Sequence, residues 1–299
     1  MVEVPLWQSR FVVPGEAVEL FLAELEDAAL SVSAFEEPER GGDDGGVWRV
    51  ELIHRGEPDK QELAGRLAPL AERSGVERID ITIAPLATAN WLARVAASFT
   101  PQRIGRFWVH GSHVREAPPP GALPIRLDAG VAFGSGEHAS TRGCLLALDE
   151  FARRRRFGRV LDMGCGSGIL AIAAAKCWPA RALAVDNDPQ AVRVARENAE
   201  RNGVAGRVRA RWSEGYRSPA VRAAGPYDLI FANILADPLC RMARDLARHL
   251  APGGSAILSG LFDRQAPGVI EAHRAAGLRL RRCIQLEIWT TLVVAAPRN

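Results

Sequence analysis

Residues 158–178, GRVLDMGCGSGILAIAAAKCW, constrain this chain more than any other stretch: an apolar run, a turn with glycines at 164, 166 and 168, then a small-residue helical pattern. The theme recurs in RALAVDNDPQAVRVARENAERNG and again in YDLIFANILADPLCRMARDLARHLAPGG. Apolar runs that alternate with helices of this length predict strands buried on both faces, hence a mostly parallel sheet with helices on both sides. SAILSGLF, a helix around PGVIEAHRAAG, and the strands RLRRCIQLEI and TTLVVAAP extend the pattern. In such sheets ligands bind beyond the carboxyl ends of the strands, so the loops that follow each strand are where chemistry is expected.

Upstream the pattern differs. SRFVVP, ALSVSAFEE and VWRVELIH read as strands, GEAVELFLAELEDA and DKQELAGRLAPLAERSG as helices, and VERIDITIA as a last strand. The order β-α-β-β-α-β is that of a ferredoxin-like α+β domain, which names no chemistry by itself. Residues 86–105, LATANWLARVAASFTPQRIG, read as a connecting helix and turn. The expected organisation is a domain over 1–85, a linker over 86–105, and a Rossmann-like α/β domain over 106–299.

Composition narrows the class. With 47% hydrophobic and 24% charged residues, and no apolar run near the roughly 18 residues a membrane helix needs, the chain reads as a globular protein that does not span a membrane. MVEVPLWQSR lacks the charged and apolar regions of a secretion signal, and five scattered cysteines without a C-x-x-C pair argue against disulfides or structural zinc. A cytoplasmic monomer without a metal is expected. A net charge of +3 implies no DNA partner, and the run Arg153 to Arg156 reads as the solvated end of a helix. The basic residues are 36 arginines and two lysines, Lys60 and Lys176, which points to coding bias.

The glycine turn selects the ligand class. Its spacing is G-x-G-x-G, with Ile169 where a dinucleotide turn would place a third glycine. Asp162, two residues before Gly164, would repel a pyrophosphate but suits a cationic ligand. S-adenosylmethionine, with a sulfonium, an ammonium and a carboxylate but no phosphate, fits a loop that combines an acid with free amides. Asp186 ends the next strand, 18 residues beyond Gly168, where an acid accepts hydrogen bonds from ribose hydroxyls. Asp188, followed by Pro189, serves as the helix cap there and frees Asp186 for the ligand. Asn233 ends a third strand, in Asn233-Ile234-Leu235-Ala236-Asp237-Pro238 rather than the Asn-Pro-Pro-Tyr of adenine-N6 and glutamine methyltransferases.

Taken together, LDAGVAFGSGEHASTRGCLLAL, VLDMGCGSGILAIAAAK, AVDNDPQAVRVARENAERNG, DLIFANILADPL and ILSGL resemble the ribosomal protein L11 methyltransferase family over nearly the whole chain. The resemblance implies a class I methyltransferase domain behind a smaller N-terminal domain that grips L11. It implies transfer of methyl groups from S-adenosylmethionine to lysine or N-terminal amines of L11, free or on the ribosome. Cofactor contacts carry over onto Thr141, Gly164, Asp186 and Asn233, with Phe133, Asp162, Gly166 and Gly168 lining the same pocket. Asn233 would orient the amine, and His138 and Glu137 are the local candidates for a base. Ser135 and Ser140 stand where the family usually has Thr, and keep the hydroxyl. DAGVAFGSGEHAST, residues 128–141, would then be a lid over the cofactor; one histidine beside one glutamate makes a poor metal site. The alternatives are a lysine methyltransferase acting on the electron-transfer flavoprotein β-subunit, which residues 1–85 argue against, and a non-catalytic ribosome-binding protein that retains the fold.

Overall fold

A computed structural model describes residues 5–25, 28–29, 31–37, 46–76, 78–85, 100–127 and 138–298. Phe133, Glu137 and most of the proposed lid lie outside them, as do residues 86–99 of the proposed linker. The chain divides into two units, Met1–Arg94 and Val95–Asn299.

In the first unit the strands are β1 (Leu6–Pro14), β2 (Ser31–Glu36), β3 (Val47–Arg55) and β4 (Thr82–Pro85), with helices α1 (Val18–Glu24) and α2 (Lys60–Ser74) between them. The sheet order is β2-β3-β1-β4 with antiparallel neighbours, which is the expected split β-α-β arrangement. Alternation along β1 and β3 sends Phe11, Val13, Val50 and Leu52 inward, and Phe21, Leu63, Leu67 and Leu70 of the helices are buried with them. Asp59 caps α2 by accepting from Gln61 N at 2.7 Å, and the helix stops at Gly75 in left-handed backbone with φ 69°.

The second unit is built on a seven-stranded sheet ordered β10-β9-β8-β11-β12-β14-β13. Its strands are β8 (Arg159–Met163), β9 (Arg181–Asp186), β10 (Val208–Trp212), β11 (Tyr227–Asn233), β12 (Leu250–Phe262), β13 (Arg279–Leu286) and β14 (Trp289–Ala295). The pairs from β10 through β12 are parallel, and β14 pairs antiparallel with both β12 and β13. One face packs Val160, Leu229 and Phe231 against α3 (Ala139–Ala152), α4 (Ile169–Cys177) and α5 (Pro189–Arg201). The other packs Leu161, Met163 and Ile230 against α7 (Ala236–His249) and α8 (Ala266–Ala275), with α6 (Pro219–Ala224) contributing Val221. Burial on both faces is why these strands read as unbroken apolar runs.

Residues 102–104, read from the sequence as part of a turn, instead form strand β5 (Gln102–Ile104) of a second sheet, β5-β6-β7, with β6 (Phe107–His110) and β7 (Leu123–Arg126). Ile104, Phe107, Val109 and Ile125 join the same core as α3 and α4, so tertiary burial decides the conformation of a segment too short to show a period.

Candidate functional site

Strand alternation gathers the polar strand ends. Asp162 follows Val160 on one face of β8, Asp186 follows Ala182 and Ala184 on β9, and Asn233 follows Leu229 and Phe231 on β11. All three therefore stand at the carboxyl ends of adjacent strands, on the face covered by α3, α4 and α5.

The turn between β8 and α4 holds Gly164, Gly166 and Gly168 at φ 68°, 50° and 79°, in the left-handed region. At Gly168 a Cβ would come 3.0 Å from the Ala195 Cβ of α5; at Gly164 it would overlap Cγ2 of Ile234, the residue after Asn233. The glycines thus serve close packing as well as the turn. Their amides are not free, contrary to the sequence expectation. Gly164 N and Cys165 N both donate to Val185 O, at 2.9 and 3.0 Å, Gly168 N donates to Cys165 O at 2.8 Å, and Gly166 N donates to Asp186 Oδ2 at 2.9 Å. A phosphate cradle needs those donors, so their internal use argues against a pyrophosphate here.

Asp162 is 1% exposed and accepts from Ala171 N at 2.9 Å. Gly168 is the N-cap of α4 and has no side chain to cap with, so the carboxyl from the preceding strand satisfies an amide of the first helical turn. That bond directs one oxygen of Asp162 into the fold. Burial pushes its pKa up to about 7, against the opposing pull of the Ala171 amide and with help from the nearby Asp186 charge. A carboxyl that holds its proton more tightly in the folded state stabilises the fold fully below its unfolded pKa near 4, and that stability is lost as pH rises from about 4 to 7. Asp162→Asn cannot ionise and keeps the acceptor. In urea denaturation the parent should lose stability relative to the variant between pH 4 and 7, by at most about 1.4 kcal/mol per pH unit, with no further change above pH 7. A stability difference that is independent of pH would show that this carboxyl does not retain its proton.

Asp186 accepts two backbone donors, Gly166 N at 2.9 Å and Asp188 N at 3.0 Å, on different oxygens. A carboxylate has about four acceptor positions, so two remain open. Asp188 caps α5 through Gln190 N at 2.8 Å, as its place before Pro189 predicts. Trp212, at the end of β10 and the register partner of Asp186, is 56% exposed and donates its indole N–H to Asn187 O at 2.9 Å. The sequence reading passed over it, and its signal was an aromatic side chain closing an edge strand.

Asn233 donates from Nδ2 to Thr141 Oγ1 of α3 at 3.3 Å, while its buried Oδ1 has no hydrogen-bond partner. Buried polar atoms are rarely left so, and this acceptor points to a ligand donor. Three devices hold the pair. Ile234 N donates to Ser259 O at 3.1 Å, Ser259 Oγ donates to Ser140 O at 3.2 Å, and the Ser259 and Thr291 hydroxyls lie 2.8 Å apart. Gly260, at φ 82° within the irregular pairing of β12 with β14, leaves no room for a side chain: a Cβ would lie 2.5 Å from Ile234 O and 3.0 Å from Ile234 N. Ser259 and Gly260 lie in the ILSGL stretch but received no role from the sequence, because that role depends on Ile234, 25 and 26 residues away. Gly260→Ala should cost about 2 to 4 kcal/mol in chemical denaturation, the sum of a backbone clash and left-handed strain. A loss under 1 kcal/mol would mean that this contact relaxes freely.

His138 is the N-cap of α3. Its Nδ1 lies 3.3 Å from Ser140 N, which can only donate, and 2.7 Å from Ser140 Oγ, so Nδ1 accepts and the proton of the neutral ring sits on Nε2. Burial lowers its pKa to about 4, and its ring packs edge-on against Trp289 at 4.4 Å. The imidazole is therefore neutral at pH 7.

The residues present suit S-adenosylmethionine through an acid with open acceptor positions at the end of β9 and an unpaired amide oxygen at the end of β11. Among the described residues there is no cluster of His, Cys, Asp and Glu that could hold a metal ion.

Fold and site together define a class I, Rossmann-like methyltransferase. The ribosomal protein L11 methyltransferase (PrmA) family model matches residues 24–297, and the chain belongs to that family. It is 41% identical over 301 residues to the ribosomal protein L11 methyltransferase of Rhodopseudomonas palustris (strain BisB5), covering 99% of each chain. To that of Bradyrhizobium diazoefficiens it is 40% identical over 297 residues, covering 97% of each. Among solved structures, the ribosomal protein L11 methylase of Lactobacillus delbrueckii subsp. bulgaricus is 29% identical with a TM-score of 0.58, a match that covers 66% of this chain and 97% of that one.

Proposed function

We propose that the protein is an S-adenosylmethionine-dependent methyltransferase that methylates lysine or N-terminal amines of ribosomal protein L11. Family membership supports the substrate, and the observation that carries the chemistry is the buried, unpaired Oδ1 of Asn233 at the end of β11.

When bound, S-adenosylmethionine supplies an electrophilic methyl group on a sulfonium. Asp186 would hold the ribose hydroxyls with its open lone pairs, and the turn at Gly164, Gly166 and Gly168 would carry the rest of the cofactor. Phe133 and Glu137, outside the described residues, keep the pocket and base roles assigned to them from the sequence as proposals. Asn233 Oδ1 would accept an N–H of the substrate amine, which fixes the direction of the nitrogen lone pair; Nδ2, held by Thr141, keeps the amide from turning over. Positioning of this kind is the main contribution a protein makes to a direct displacement.

A lysine amine, with a pKa near 10.4, must lose its proton before it attacks, whereas an α-amino group near 7.7 to 8.0 needs less help. His138 is poorly suited to take that proton, because its accepting nitrogen is committed to the helix cap and its pKa lies about 4. Asp162 is buried on the helix side. Glu137 or water is left to take the proton, and Asp162 and His138 are cast as structural supports for the loop and for α3.

The test is incubation of the protein with methyl-labelled cofactor and a ribosomal protein extract, followed by mass spectrometry of the labelled species. Label on L11 amines is the expected result. Label on another protein, or on RNA, would overturn the substrate assignment.

A further inference from the structure

The small net charge of the whole chain hides a large division. Residues 1–94 hold 9 Lys and Arg against 18 Asp and Glu, a net charge of −9, whereas residues 95–299 hold 29 against 17, a net charge of +12. Coding bias accounts for arginine in place of lysine, but it acts on both units alike and cannot give them opposite sign. The excess in the second unit therefore needs a physical account.

Topology places much of it on one end of the seven-stranded sheet. Asp186 and Asn233 mark the carboxyl ends of the parallel strands; Arg159 and Arg181 mark the amino ends of β8 and β9. These two arginines are direct register partners, an arrangement of like charges that costs stability. Arg156 precedes β8, Arg279 starts β13 opposite Ala295 of β14, and Arg298 follows β14, so all three belong to that same end. Arg156, Arg159, Arg181, Arg279 and Arg298 are all exposed. Burial, and after it the neighbouring Arg298 charge, lower the pKa of Arg155 against the opposing pull of Asp228.

Nearby acids relieve this crowding only in part, and the Asp228 charge offsets some of it at Arg155. Asp149 is shared by Arg106 and Arg153, and Glu150 by Arg154 and Arg282. Asp228 accepts from the backbone amides of Gly158 and Arg159. Arg153 and Arg154, just past the end of α3, are thus paired, and the remaining charge runs from Arg156 onto the strand ends.

We propose that the amino-terminal end of the seven-stranded sheet, at Arg156, Arg159, Arg181, Arg279 and Arg298, is an RNA-binding face that holds phosphate groups. Forked guanidinium groups match phosphate oxygens in pairs, and a run of them along strand ends matches a polyanion better than a single ligand. The face is at the opposite end of the strands from the cofactor loops, so RNA bound there leaves the amine site open. The choice of RNA over another polyanion rests on the proposed substrate: a ribosomal protein is encountered beside ribosomal RNA.

Fluorescence anisotropy with a labelled 20-nucleotide RNA, titrated with full-length protein at 50 and 200 mM salt, tests this directly. The parent should bind at 50 mM salt and weaken steeply at 200 mM. The triple variant Arg156→Glu, Arg181→Glu, Arg279→Glu should bind at least about 10-fold more weakly, with a log–log salt slope shallower by roughly two units, since each lost phosphate contact removes about 0.7 to 0.9. S-adenosylhomocysteine affinity by calorimetry and the denaturation midpoint should stay at parent values, and the corresponding Gln variant should lie between the two. No RNA binding by the parent at 50 mM salt, a triple variant that binds like the parent, or binding to anionic vesicles or polyglutamate in preference to RNA would each overturn the proposal. Methylation of purified free L11, measured in parallel, keeps the two readings apart: its absence with RNA binding intact would refute the substrate assignment alone.

Discussion

Asp186→Ala is expected to weaken binding of S-adenosylhomocysteine by about 10- to 100-fold in calorimetry. A hydrogen bond to a charged acceptor contributes roughly 1.5 to 3 kcal/mol, and each 1.4 kcal/mol is a factor of ten. The substitution acts twice, because the same carboxylate that would receive the ribose hydroxyls also holds Gly166 N and Asp188 N at 2.9 and 3.0 Å. The glycine turn therefore loses its tie to β9 together with the ligand contact. Asp186→Asn separates the two effects: it keeps one acceptor oxygen and no charge, and should fall between parent and Ala. Affinity of the Ala variant equal to that of the parent would remove Asp186 from the cofactor site.

The second large effect is expected at Asn233. Asn233→Ala should lower turnover by about 10- to 100-fold, the range in which loss of one positioned polar group acts on a reaction that depends on alignment, while cofactor affinity changes little. Folding stability should barely move, since the 3.3 Å bond to Thr141 is lost together with a buried oxygen that has no partner. This split between kcat and cofactor Kd distinguishes two uses of Oδ1. If affinity falls and turnover at saturating cofactor does not, the oxygen holds the cofactor rather than the amine.

Much of this site was legible in the sequence because it is written in local pattern. The apolar run ending at Asp162, the glycines that follow it, the strand that ends at Asp186 and the Asp188–Pro189 cap each depend on residues within a few positions of one another. The periods of strand and helix carry that information directly. The β-α-β-β-α-β order of the first unit was readable for the same reason. The strand at 102–104 was not, because three residues give no period and burial against a distant core decides their conformation.

One sequence inference changed on contact with the structure. The amides of the glycine turn, expected to be free for a ligand, are spent on Val185, Cys165 and Asp186. Asp162 gains a partner the sequence did not show, one oxygen accepting from the first turn of α4. Both findings come from hydrogen bonds whose partner depends on how strand, turn and helix are set in three dimensions, and spacing alone carries no record of them.

The sequence by itself determined the alternation of elements, the class of sheet, the strand ends that carry polar residues and the family. Only the tertiary structure decided which of those residues meet. Thr141 and Asn233 are 92 positions apart and pair because α3 covers the face of β11 that Asn233 shares with Leu229 and Phe231. Gly260 matters because the irregular pairing of β12 brings its α-carbon against the backbone of Ile234. The arginines at the strand origins form one face because parallel strands all begin at the same end of the sheet. Local propensity is set by neighbours along the chain, whereas these contacts arise from packing between elements far apart in it.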